Sequence, residues 1–171
     1  RLEGVTNNLN QRGVLFGYAG ADVAILSRNS ASDAIYIRGA ASAGTSGWCR
    51  GVEVYETTNP NLLIANEGTG GIRIVGDGCP SNATGGSPQD GIALSYTAVL
   101  ARSGDIRLEG TTRNTASTAW GIFLNRADAT GNNVVALGAS TRSYTLSTGR
   151  SVNISTTSSK IELLTNSING N

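Results

Sequence analysis

Apolar and polar residues alternate along this chain in short runs that recur. One run reads Ile35-Tyr36-Ile37-Arg38-Gly39, then Ile72-Arg73-Ile74-Val75-Gly76, then Ile106-Arg107-Leu108-Glu109-Gly110. A period of two places the Ile and Leu side chains on one face of a β-strand. A second run follows another glycine: Gly13-Val14-Leu15-Phe16, Gly51-Val52-Glu53-Val54, Gly91-Ile92-Ala93-Leu94, Gly121-Ile122-Phe123-Leu124 and, with Ser replacing Gly, Ser151-Val152-Asn153-Ile154. A third spans Val23 to Leu26, Leu62 to Ala65, Ala98 to Ala101, Val134 to Leu137 and Ile161 to Leu164.

The second apolar residue of the first run falls at Leu2, Ile37, Ile74, Leu108 and Leu146, in steps of 35, 37, 34 and 38 residues. Repeats of this length cannot bury an apolar face alone and must stack on their neighbours. The fold predicted is all-β: a right-handed parallel β-helix of about five coils, three short strands per coil, with no caps. Residues 1–171 form a single repeat segment, its coils at about 1–34, 35–71, 72–105, 106–143 and 144–171. Equivalent strands then pair in parallel about 4.8 Å apart and stack like on like, Leu2, Ile37, Ile74, Leu108 and Leu146 forming one ladder.

Glycines 4, 39, 76 and 110 are expected to leave the first strand at positive φ. Residues 5–12, 40–50, 77–90, 111–120 and 148–150 are variable segments between the first and second strands. The first repeat lacks the apolar residue that opens the others, so an excerpt of a longer chain or a filament unit is expected. Its terminal coils should be adhesive edges.

Composition narrows the functions. Thirteen basic and twelve acidic residues leave a formal charge of +1, so no global field draws nucleic acid or anionic lipid. No apolar run approaches the roughly 18–20 residues of a membrane span, so no membrane insertion is expected. The absence of His rules out Ser-His-Asp and Cys-His nucleophile systems and the usual transition-metal ligand set. Gly76-Asp77-Gly78 lacks the further acids of a calcium loop, and there is no phosphate-binding Gly-Lys motif. No metal, cofactor or catalytic residue is expected.

The run Gly104-Asp105-Ile106-Arg107-Leu108-Glu109-Gly110, a small-polar segment and then Gly121-Ile122-Phe123-Leu124 resembles the repeats of filamentous-haemagglutinin-type (two-partner secretion) exoproteins and related giant repetitive bacterial surface adhesins. The likeness spans essentially the whole chain, although these coils are longer than that family's compact repeats. It implies a secreted, elongated protein at the bacterial cell surface, used for adhesion or cell-to-cell contact.

Candidate contact residues lie on the first strand and before the second. Arg1, Tyr36, Arg73 and Arg107 should form an outward ladder, a basic stripe with one aromatic that suits an acidic glycan. Glu3 and Glu109 share that face, and a solvated ion network is the plainer reading. Trp48 and Trp120 precede the second strand, where an indole stacks on a sugar ring or, more commonly, closes a loop onto the body. Cys49 and Cys79 flank the same corner of neighbouring coils, and a disulfide and two unpaired thiols are both open.

The expectation is therefore a structural or adhesive segment of a secreted bacterial surface protein or extracellular filament. Its partners would be a host or neighbouring-cell surface, with a glycan among the candidates, and end-to-end copies or more of the same solenoid. Two alternatives stand beside it. A carbohydrate-active β-helix of the polysaccharide lyase or glycosidase kind needs carboxylates about 5–9.5 Å apart, whereas Glu3 and Glu109 lie three coils, on the order of 14 Å, apart. Glu53 has Leu15 and Ala93 beside it on the ladder, leaving Asp77 and Asp90 as the acids able to converge. A self-assembling filament subunit would stack its coils head to tail.

Overall fold

The computed structural model describes residues 1–6, 12–17, 23–41, 49–54, 62–78, 89–95, 97–113, 119–125, 136–137, 141–145, 149, 151–155, 160–166 and 168–170. Among them are sixteen strands and no helix. The first repeat contributes β1 (Leu2–Thr6), β2 (Arg12–Phe16) and β3 (Val23–Ser27). The second contributes β4 (Asp33–Ala41), β5 (Arg50–Val54) and β6 (Leu62–Asn66). In the third are β7 (Gly71–Asp77), β8 (Ile92–Ser95) and β9 (Thr97–Ala101), and in the fourth β10 (Ile106–Thr111), β11 (Ile122–Asn125) and β12 (Ala136–Leu137). Then come β13 (Thr141–Thr145), β14 (Ser151–Ser155), β15 (Ile161–Thr165) and β16 (Ile168–Gly170).

Three sheets are parallel throughout. The first runs β1-β4-β7-β10-β15, the second β16-β11-β8-β5-β2 and the third β12-β9-β6-β3. Their registers are like on like: Leu2 beside Ile37, Ile37 beside Ile74, Ile74 beside Leu108. In the second sheet Val14, Val52, Ile92 and Ile122 line up, and in the third Ile25, Ile64 and Val99. Alternation sends Ile35, Ile37, Ile72, Ile74, Ile106 and Leu108 of the first sheet into one buried cluster. Val52, Val54, Ile92, Leu94, Leu62, Ile64 and Val99 of the other two join them. The period-two pattern thus makes the core, because one face of each of these strands is apolar.

The glycines of the first strand do a different job from the one expected. Gly4, Gly39, Gly76 and Gly110 lie inside strands, and among the described residues positive φ occurs at Gly17 and Gly149 instead. What excludes a side chain is proximity: a Cβ on Gly76 would sit 2.1 Å from the Gly91 carbonyl oxygen, and one on Gly110 2.1 Å from that of Gly121. The first and second strands cross here backbone to backbone.

The last repeat also departs from expectation. The strand that follows β10 in the first sheet is β15, with Leu108 beside Leu163 rather than Leu146, which lies outside the described residues. Ser151–Ser155 does not extend the second sheet, where β16 places Ile168 beside Ile122. It pairs antiparallel with β13, Tyr144 opposite Val152 and Arg142 opposite Ile154. Gly149 at φ 80° lies between the two strands and permits the chain reversal. Val152 and Ile154 pack with Leu63, Ala65, Ala98 and Leu100 in a second buried cluster, on the outer face of the third sheet. The β6 and β9 strands of that sheet are therefore buried on both sides.

Candidate functional site

Two clusters of polar side chains arise from the stacking. The first lies on the outer face of the first sheet, where in-register pairing sets Tyr36 beside Arg73, Arg73 beside Arg107 and Arg107 beside Glu162. The Tyr36 ring lies between two guanidinium groups, with the Arg1 Cζ 5.5 Å and the Arg73 Cζ 5.6 Å from its centroid. Arg73 grips Glu109 of the next repeat in a fork, Nε to Oε1 at 2.6 Å and Nη2 to Oε2 at 3.2 Å. Arg107 Nε lies 2.7 Å from the same Oε1.

Arg73 also approaches Asp33 at 3.7 Å, Arg107 approaches Glu162 at 3.8 Å, and Arg1 holds Glu3 at 2.8 Å. The hydrogen bond from Arg73, then the charges of Arg73 and Arg107, hold the Glu109 carboxyl below the usual carboxylate range against the opposing effect of burial. The basic stripe is thus engaged by acids of its own and adjacent repeats. Such half-exposed pairs contribute little each.

The second cluster was not anticipated. The residue before the glycine of each second strand is Arg12, Arg50, Asp90 and Trp120 in successive repeats. Arg50 Nε donates to Asp90 Oδ2 at 2.8 Å, and Arg50 Nη1 donates to Glu53 Oε1. Arg12 Nε donates to Glu53 Oε2, and the Trp120 backbone N–H donates to Asp90 Oδ1 at 3.0 Å. One chain of charge-assisted bonds therefore joins four consecutive repeats.

Arg50, Glu53 and Asp90 are 3%, 1% and 0% exposed, so one guanidinium and two carboxylates lie inside the protein, and half-buried Arg12 supplies the second positive charge. Burial pushes the Asp90 carboxyl up to about 6, opposed by the Arg50 charge and the Trp120 N–H. A sequence signal existed, an Arg-Gly, Arg-Gly, Asp-Gly, Trp-Gly column. Only the register shows that Glu53, an outward residue flanked by Leu15 and Ala93, shares Arg50 with Asp90. Asp77 stays apart, accepting from the Thr111 hydroxyl at 2.8 Å and facing Arg38 at 3.8 Å.

Trp120 is half-buried at a corner of the stack, its carbonyl accepting the Gly91 N–H at 2.9 Å. Cys49 is buried against Ala41. Trp48 and Cys79 lie outside the described residues, and with them the proposed disulfide partner. Among the described residues no group of three or more acidic or Cys side chains is placed to hold a metal ion, and no helix is long and apolar enough to cross a membrane.

Chemically, the Glu53 and Asp90 arrangement is a tie between repeats. A glycosidase pair works on substrate in a groove that admits water, and neither carboxylate here reaches solvent. No protein-family model, curated protein or solved structure matches this chain.

Proposed function

We propose that the chain is a segment of a right-handed parallel β-helix, about five coils of three short strands, that acts as a structural and adhesive element of a secreted bacterial surface protein or extracellular filament. The observation that carries this reading is the order of the strands. In each parallel sheet neighbours come from successive repeats, with like residues in register, so the chain advances one repeat per circuit. Such a body is stiff along the stacking axis, which suits an element that holds a contact with a cell surface or glycan away from its base.

The polar chemistry supports a mechanical role over a catalytic one. The acids most able to act as a pair, Glu53 and Asp90, are sealed from solvent on a shared guanidinium. The outward cations Arg73 and Arg107 are bound to Glu109. Exposed Leu2 on β1, and Ile161, Leu163 and Leu164 on β15, favour a second reading in which coils stack on further coils, of another copy or of the same polypeptide.

Electron microscopy and fibre diffraction of the secreted protein test the proposal. Extended particles or fibres with an axial reflection near 4.8 Å are expected. Compact isolated particles, with turnover of a polysaccharide, would overturn it in favour of a carbohydrate-active β-helix. Trp120→Ala on a glycan array separates stacking on sugar from closure of a corner: loss of binding with an unchanged melting temperature assigns the indole to sugar.

A further inference from the structure

We draw no further inference here: the strongest candidate, the apolar hollow of about 350 Å³ that Leu2, Phe16, Ile25, Ile35 and Ile37 line at the β1 end of the stack, carries nothing because nothing in the structure shows what covers it.

Discussion

Replacing Gly76 with Ala places a methyl group where the first and second strands cross. Its Cβ would lie 2.1 Å from the Gly91 carbonyl oxygen, 2.6 Å from the Gly91 carbonyl carbon and 2.6 Å from Ile92 Cγ1. Ordinary contact needs about 3.5 Å, so backbone must move by roughly 1 Å or more. The Gly91 oxygen is not free to move, because it accepts the Val52 N–H at 2.9 Å. Overpacking of a close-packed interior costs about 1–3 kcal/mol, and weakening that hydrogen bond about 1 more.

The sum is roughly 2–4 kcal/mol, a fall in melting temperature of about 5–15 °C for a chain of this length. Thermal and urea unfolding followed by circular dichroism measure it. Gly76→Asn sharpens the test. If positive φ were what Gly76 supplies, Asn would be better tolerated than Ala, since Asn accepts the left-handed region. Proximity makes Asn at least as costly as Ala. The contrasting position is Gly149, at φ 80° with nothing within 4 Å of a built Cβ, where Ala costs about 1 kcal/mol and Asn less. Wild-type stability in Gly76→Ala, or a milder Gly76→Asn, would refute the crossing argument.

Further outcomes follow from the two polar clusters. Asp90 titrates near 6 in the folded protein against 3.8 ordinarily, so between about pH 4 and 6 the folded state keeps a proton the unfolded chain has released. Its contribution is complete below that window and is lost as pH rises through it. The stability advantage of wild type over Asp90→Asn should therefore shrink by about 3 kcal/mol from pH 4 to pH 7, and a flat difference in paired denaturation curves would remove the linkage. Arg50→Leu takes the guanidinium from buried Asp90 and leaves Glu53 with Arg12, and should cost about 3–5 kcal/mol at neutral pH, measured by urea midpoint. Glu109→Gln, which loosens a half-exposed network, should change stability by no more than about 1 kcal/mol, less at high salt.

The parallel sheets of the first four repeats were legible because the first strands carry a two-residue alternation followed by glycine, the second strands follow a glycine, the third are short apolar runs, and the steps between repeats nearly agree. The last repeat was not. Ser151-Val152-Asn153-Ile154 has the same alternation as a second strand, and alternation tells which face is apolar without telling which partner it meets. The short interval around Gly149, three residues where other repeats have eight or more, was the signal of a hairpin. Glycine likewise has two reasons to stand at a corner, and a sequence does not separate positive φ at Gly149 from close approach at Gly76. The ion ladder of Arg73, Arg107 and Glu109 followed from strand spacing, whereas the Arg50, Glu53 and Asp90 tie joins a strand to the approach of the next repeat's strand and needed the register.

The central claim is that successive repeats stack in parallel and in register, and paired cysteines test it most directly. In a Cys49→Ala, Cys79→Ser background, Arg38→Cys with Val75→Cys places two outward residues on neighbouring strands, in register in the first sheet. Their Cα atoms should lie about 4.8 Å apart, inside the reach of a disulfide, whereas Tyr36→Cys with Val75→Cys, two residues out of register, sets them about 8 Å apart, beyond it. The account predicts that mild oxidation closes the 38–75 pair, and equally 75–109, and leaves 36–75 open. Failure of the in-register pairs to close, or equal closure of the offset pair, would contradict it.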